Sequence, residues 1–163
     1  MNTERDYTIS RPTPTELAHL WEGVEAERAR THSFPSSMAE VVRDWGTGLL
    51  FFTGLVNGHL AALFGLANPA FSPAGPPVSA WVLLYVLPEW RAQAAIGLCR
   101  YAVAWCAQQG FQRLWTGIRV DNRAARAMAR ACGFTKCGTV PGLADPVTLD
   151  CAVAYYTWET PRG

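Results

Sequence analysis

Apolar positions near the start of the chain recur at spacings of three and four, with charged residues between them. This pattern predicts a helix over residues 15–30, capped by Thr13 or Thr15. A second, shorter pattern of the same kind predicts a helix over residues 37–45, and a brief run before the first helix predicts a strand over residues 7–10. The chain therefore opens with one strand and two helices.

The period then changes to that of strands. Two apolar runs flank Asn57 and Gly58, a dipeptide that accepts positive φ at both turn positions, and they predict a β-hairpin with a type I′ turn. Residues 67–79 are dense in proline, which cannot donate to a strand ladder, so we predict an exposed loop there. The apolar run at 80–88 predicts a central strand that is buried on both faces.

Helices and strands alternate in the second half of the chain, and a glycine ends each predicted helix. With the hairpin, this order predicts an α/β protein of one domain over residues 1–163: a central mixed β-sheet flanked by helices on both faces. The predicted helices cover residues 93–109 and 121–132, and the predicted strands cover residues 111–120, 134–140 and 150–159.

Composition excludes several classes of protein. Fourteen Lys and Arg against thirteen Asp and Glu give a formal charge of +1, so no net field draws the chain to nucleic acid or to a membrane surface. The five cysteines form no Cys-x-x-Cys pair, and we predict no metal site and no disulfide framework. No apolar run approaches the roughly 20 residues that span a bilayer, so we expect a soluble, cytoplasmic protein.

The stretch LPEWRAQAAIG, residues 87–97, joins the buried strand to the helix that follows it. The first amides of a helix lack partners within the helix and can hold an anion, and Arg91 would add a positive charge. Any buried strand that runs into a helix looks similar, however. From these residues alone, an anion site and a simple connector both remain open.

Residues 86–134 resemble the core of the Gcn5-related N-acetyltransferase family. In that family a central strand meets a turn of the form R/Q-x-x-G-x-G/A, followed by a helix, a strand, an N-x-x-A motif and a G-F pair. The hairpin before this segment and the two strands after it also fit the family's order, so the resemblance covers most of the chain. The residues at matching intervals are Arg91, Asn122, Ala125, Gly133 and Phe134.

The resemblance implies an N-acetyltransferase that uses acetyl-CoA, or another acyl-CoA, to transfer an acyl group to an amine of a small molecule, a peptide or a protein. Backbone groups at the end of the central strand would hold the pantetheine arm, amides of the following turn would hold the pyrophosphate, and Asn122 would lie near the cofactor arm. The predicted cofactor-binding residues are Leu84, Tyr85, Val86, Leu87, Arg91, Ala92, Gln93, Ala94, Ala95, Ile96, Gly97, Asn122 and Arg126.

Two departures from the family's pattern bear on activity. The turn glycines map to Ala94 and Ile96, with Gly97 one position late, and the tyrosine that protonates the departing thiolate in many members maps to Ala129. We therefore assign no catalytic residue, and Glu89, Asp121 or a bound water would have to act as base. A catalytically silent module on the same fold, which binds CoA or another protein, is the alternative hypothesis.

Arginines at 123, 126 and 130 share one face of the last predicted helix. Such a stripe is typical of a solvated helix face, but its first turn would lie beside the cofactor, which makes Arg123 or Arg126 a candidate for the nucleotide phosphate. We interpret Trp81 and Trp115 as core or cleft-wall residues. No nucleic-acid or membrane partner is predicted, and a homodimer is allowed for.

Overall fold

The computed structural model describes residues 4–27, 49–71, 75, 77–140 and 152–161. The helix predicted over residues 37–45 lies outside this part of the chain. The elements in chain order are β1 (Tyr7–Ser10), α1 (Pro14–Ala26), β2 (Leu49–Val56), β3 (His59–Phe71), β4 (Pro77–Val86), α2 (Pro88–Gln108), β5 (Arg113–Arg119), α3 (Arg123–Ala131), β6 (Thr135–Val140) and β7 (Val153–Glu159).

The described strands form one mixed sheet in the order β1-β2-β3-β4-β5-β7-β6. Every neighbouring pair is antiparallel except β4 and β5, which are parallel. A parallel pair requires a crossover connection, and α2 supplies it. The predicted mixed sheet is therefore confirmed, and its one parallel junction lies between the two central strands.

The predicted hairpin is confirmed. Val56 and His59 are opposite each other at the ends of β2 and β3, so only Asn57 and Gly58 form the turn. Their φ angles are 50° and 79°, the left-handed values that a type I′ turn requires and that asparagine and glycine tolerate best.

The prediction for the proline-rich segment is wrong in part. β3 continues to Phe71 and β4 begins at Pro77, and Ala70 pairs with Ser79 between them. The pairing register shifts between Ala67 and Ala70 and again after Ala70. These irregularities explain how strands pass through proline-rich sequence, because a residue in a bulge does not need to donate to the ladder.

Helices cover both faces of the sheet, as predicted. On one face, buried residues of α1 such as Leu20 and Val24 pack with Phe51 and Leu63 of the hairpin. On the other face, residues of α2 and α3 share a core with β2, β3, β5 and β7. None of the helices in the described ranges combines the length and the apolar character needed to cross a membrane.

Local signals set most helix ends. Thr13 caps α1: its hydroxyl accepts from the N–H of Glu16 at 3.2 Å, and the Glu16 carboxylate accepts from the N–H of Thr13 at 3.0 Å. This reciprocal pair is a capping box. Gly110 and Gly133 follow α2 and α3 with φ of 97° and 89°, so both predicted glycine stops are confirmed.

Three of the cysteines, Cys99, Cys106 and Cys132, are buried in the core beneath α2 and α3. Burial raises the pKa of Cys106 to about 12, so this thiol is neutral at ordinary pH. Such cysteines pack as small apolar side chains, which agrees with their position in apolar sequence patterns. Cys137 is exposed, and Cys151 lies outside the described residues.

Gly23 of α1 lies directly against the Tyr85 side chain. A Cβ atom at this position would lie 2.5 Å from the Tyr85 hydroxyl oxygen, and Tyr85 is only 4 % exposed. We predict that Gly23→Ala lowers the free energy of unfolding in urea, although alanine gains about 1 kcal/mol in helix propensity, because the tyrosine must move. In a Tyr85→Leu background the same change should become stabilising. An effect of the same sign in both backgrounds would contradict this packing.

Candidate active site

Strands β4 and β5 lie side by side over only a short stretch. Their pairing begins at Ser79 and Arg113 and ends at Trp81 and Trp115. Beyond that point β4 stays paired with β3, and β5 with β7, to their carboxyl ends, but the remaining residues of these two described strands are not paired with each other. A gap therefore opens in the middle of the sheet, where backbone N–H and C=O groups need other partners.

Both helices that follow these strands begin beside the gap. α2 starts at Pro88, directly after Leu87, and this N-cap residue makes no side-chain hydrogen bond to the first turn. α3 starts at Arg123, and the Asn122 side chain accepts from the N–H of Ala125 at 3.2 Å. Few backbone donors are free at the start of α2, because the N–H of Leu87 donates to the Ala61 carbonyl, that of Trp90 donates to the Leu87 carbonyl, and Pro88 has no N–H. The positive ends of both helix dipoles still favour a negatively charged ligand at this edge of the sheet.

The predicted phosphate turn lies inside α2. The helix begins at Pro88 rather than at the predicted Gln93, so the segment 92–97 belongs to its inner turns. Proline is preorganised for the first helical position, Glu89 is favourable in the first turn, and alanine is the strongest helix former. Amides within a helix donate to carbonyls four residues earlier. That these amides bind a cofactor stays a prediction.

The side chains of this segment point in different directions. Ala94 is buried, whereas Ile96 is 44 % exposed. A Cβ on Gly97 would overlap the ring of Tyr7, so β1 packs closely against α2 at that point. The carbonyl of Gln93 accepts from the Arg5 guanidinium. Ala92 and Gln93 are exposed and Ala95 is half-buried.

Arg91 is bound to a carboxylate rather than free at the turn. Its guanidinium makes two hydrogen bonds to Glu27, at the end of α1, and the one to Oε1 measures 2.9 Å. Its Nε donates to the Val86 carbonyl at 2.9 Å, and the guanidinium carbon lies 5.4 Å from the centre of the Tyr85 ring. The hydrogen bonds to Glu27 raise the pKa of Arg91 above its usual value. The arginine therefore joins α1 to the carboxyl end of β4.

Tyr85 completes this cluster. Its hydroxyl donates to the Glu27 carboxylate at 3.1 Å. Burial, and next the hydrogen bond to Glu27, raise the pKa of Tyr85 to about 12. Of the other strand residues predicted to hold a cofactor, Val86 and Leu87 are buried and Leu84 is half-buried.

Asn122 and Arg126 both lie at the start of α3, and both have partners there. Asn122 is the N-cap of α3. Arg126 donates to the Val120 carbonyl at 2.7 Å and to the hydroxyl of Tyr156 at 3.3 Å. The arginine stripe is thus not uniformly solvated: Arg126 is half-buried, whereas Arg123 and Arg130 are exposed.

The positions considered for acid and base catalysis have different surroundings. Ala129 is 4 % exposed and packs in the core beneath α3. Asp121 accepts from Arg119 at both carboxylate oxygens, over 3.0 and 2.8 Å, and Arg119 is itself buried. Glu89 is exposed in the first turn of α2. Of the two carboxylates considered as a base, Asp121 is therefore bound to Arg119, whereas Glu89 is solvated.

Sequence reasoning missed Glu27 and the aromatic contacts around Trp81. Glu27 is one of several acids in its helix, and no spacing rule connects it to an arginine 64 positions later. Trp81 is 36 % exposed, so of its two predicted positions the cleft wall fits and the core does not. The sequence signal for this position was that Trp81 alternates with Leu83 and Tyr85 along a strand next to the proline-rich segment.

The chain that forms this gap, with two helix N-termini beside it, also matches a known protein family. The model of the Acetyltransferase (GNAT) family matches residues 19–134, which is most of the chain. The chain belongs to the GNAT acetyltransferase family. The resemblance of the core motifs is therefore confirmed, although no curated protein matches this chain.

Solved structures with the same fold have low sequence identity to this GNAT protein. Spermidine N-acetyltransferase from Vibrio cholerae, in complex with CoA and spermine, has a TM-score of 0.75 at 15 % identity and covers 94 % of this chain and 95 % of its own. The ribosomal L7/L12 alpha-N-protein acetyltransferase RimL, with CoA, has 0.71 at 17 % over 94 % and 93 %. Microcin C7 self immunity acetyltransferase MccE, with acetyl-CoA and AMP, has 0.70 at 13 % over 95 % and 93 %. These likenesses establish the fold.

The raised pKa of Tyr85 predicts a dependence of stability on alkaline pH. A proton that the folded state holds more tightly than the unfolded state stabilises the fold below the ordinary pKa of 10, and this contribution is lost as pH rises toward about 12. The melting temperature of Tyr85→Phe should therefore fall less than that of the parent protein between pH 10 and 12.

Glu27→Gln is the informative second variant for this test. It removes the negative charge but leaves the ring buried, and burial is the larger cause of the shift. We expect an intermediate slope of melting temperature against pH. A Tyr85→Phe slope equal to that of the parent would show that this hydroxyl does not titrate with a raised pKa.

Proposed function

We propose that this GNAT protein transfers the acetyl group of acetyl-CoA to an amino group of a small molecule or a peptide. The observation that carries the proposal is the gap between β4 and β5, which opens after Trp81 and Trp115 and has the N-termini of α2 and α3 beside it. Family membership and the CoA complexes of structurally similar proteins support the same function.

The residues on either side of the gap fit an extended thioester ligand. On the β5 side, the backbone of β4 from Val82 to Tyr85 has no strand partner among the described residues, so N–H and C=O groups that point into the gap can bond to an amide-containing arm. The positive end of the α2 dipole suits the pyrophosphate, and Arg126, in the first turn of α3, is the candidate to bind the nucleotide phosphate.

Acetyl-CoA supplies an activated acyl group, so the protein needs to orient the amine and to polarise the thioester carbonyl. A neutral amine attacks the carbonyl directly, and a strand N–H that bonds to the carbonyl oxygen would stabilise the charge that develops there. A thiolate is a tolerable leaving group, since thiols of this kind titrate near 8.5. Alanine at position 129 therefore does not preclude turnover, and a water can deliver the proton.

Acetyl-CoA binding and transfer are tested in sequence. Acetyl-CoA at 100 times its dissociation constant should stabilise the fold by about 2.7 kcal/mol in a thermal-shift titration. Release of free thiol over a panel of amines then measures transfer. No thermal shift at millimolar acetyl-CoA would contradict the proposal. A shift without thiol release for any amine would favour the catalytically silent module instead.

Arg91 and Glu27 give a paired test of the predicted anion site. Arg91→Ala removes a positive charge beside the first turn of α2 and should weaken acetyl-CoA binding about fivefold at low salt, with a smaller effect at high salt. Glu27→Gln leaves that charge in place without its carboxylate partner and should strengthen binding.

Calorimetric dissociation constants decide between the two roles of Arg91. Equal changes in both variants would indicate that the pair acts only by fixing α1 to β4. Unchanged dissociation constants would indicate that the segment 87–97 only connects β4 to α2 and does not bind the anion.

A further inference from the structure

Three aromatic side chains, Trp81, Trp115 and Tyr155, form a cluster that the cofactor site does not use. The ring centres of Trp81 and Trp115 are 6.0 Å apart with planes tilted by 39°, and those of Trp81 and Tyr155 are 5.8 Å apart with an edge-to-face angle of 72°. Trp81 is 36 % exposed, and only Ile96 is comparably exposed among the large apolar side chains of the described residues. We call these three residues the aromatic cluster.

The aromatic cluster lies at the closed end of the gap. Trp81 and Trp115 are the last paired residues of β4 and β5 before the strands separate. A ligand that enters the gap from its open end therefore has its inner end close to these two rings.

All three rings project from the face of the sheet that α1 covers. Side chains alternate along a strand, so Trp81 shares a face with Leu83 and Tyr85, and both pack in the core beneath α1. Across the sheet, Tyr155 pairs with Gly117, and a Cβ on Gly117 would lie 3.1 Å from the Tyr155 ring. The Tyr155 ring therefore lies over Gly117, next to Trp115. α2 and α3 cover the opposite face, which leaves the aromatic cluster on the side facing away from the helix N-termini.

Among the described residues, three carboxylates toward this face are paired with arginines. Glu27 is bound by Arg91 and Asp121 by Arg119. Glu159 accepts from Arg113 at 2.9 Å, and Arg113 also lies 5.6 Å from the centre of the Trp115 ring. A polyamine is bound best by carboxylates that keep their negative charge available. These three pairs instead leave flat aromatic surface as the main recognition feature.

On the basis of the function proposed above, we infer that the acceptor is a monoamine with an aromatic or similarly flat apolar body. Its ring packs against the aromatic cluster, and its amino group points into the gap toward the acyl carbon. An arylalkylamine has this shape. Spermine, found in the Vibrio cholerae structure, does not.

The test compares 2-phenylethylamine with spermidine as acceptors. Trp81→Leu and Tyr155→Leu each remove one ring and keep an apolar side chain. We expect about a tenfold rise in KM for 2-phenylethylamine in each variant, with kcat and the dissociation constant of acetyl-CoA within twofold of the parent values. Trp81→Phe, which restores an aromatic ring, should recover most of the loss.

Trp158→Leu is the matched control. Trp158 lies on β7 as Tyr155 does, but it pairs opposite Leu114 and packs on the face that carries α2 and α3. Its KM for 2-phenylethylamine should stay at the parent value, while melting temperature reports any general loss of stability in all variants.

Failure of this inference is distinguishable from failure of the proposed function. Spermidine as the better acceptor, or a KM that is indifferent to Trp81→Leu and Tyr155→Leu, would overturn the inference while acetyl transfer stands. If no transfer occurs, calorimetric binding of 2-phenylethylamine, with and without CoA, decides the inference alone. Binding that weakens in Trp81→Leu but not in Trp158→Leu supports the site, and absence of binding in both conditions overturns it.

Discussion

The separation of β4 and β5 is the constraint on which the rest of the structure depends. Two parallel neighbours normally stay hydrogen-bonded along their length, yet these strands leave each other after Trp81 and Trp115. Each strand is held on its other side, by β3 and by β7, to its carboxyl end. The strands therefore diverge as two rigid halves of the sheet, and the helices that follow them start on either side of the opening. Backbone N–H and C=O groups that would be hydrogen-bonded in a continuous sheet therefore lack a strand partner and can bind a ligand.

Local sequence patterns were sufficient to predict the structural features that a few adjacent residues determine. The Asn57-Gly58 turn, the Thr13 cap and the glycine stops at 110 and 133 each depend on a few adjacent residues, and the structure has all of them. The start of α2 was misplaced because proline and alanine were weighed as parts of a turn rather than as a helix N-terminus. The strands through the proline-rich segment were missed because register shifts, which tolerate proline, leave no mark in a one-dimensional pattern.

The site was less predictable than the fold because its contacts join distant parts of the chain. A family resemblance indicated which backbone segments border the gap, but it carried no information about Glu27, which belongs to α1 and binds Arg91 on α2. The same holds for the aromatic cluster, whose members come from β4, β5 and β7 and meet only through the sheet's strand order. The sequence contains seven tryptophans, but composition does not indicate that two of them lie at the closed end of the gap.

The single glycine near the expected phosphate turn shows how packing can account for a residue that a motif would assign to ligand binding. Gly97 has no room for a Cβ because Tyr7 of β1 lies against it, so β1 and α2 together require glycine there. At the neighbouring position 94, alanine is buried against the sheet and favours the helix by about 1 kcal/mol over glycine. Gly97 thus allows β1 to pack against α2 at a cost in helix propensity, whereas Ala94 favours the helix itself. Under the proposed function, anion binding at this end of the sheet would depend on the α2 dipole and on how tightly Glu27 holds Arg91. The proposed function therefore couples cofactor affinity to the attachment of α1 through one ion pair, between Arg91 and Glu27.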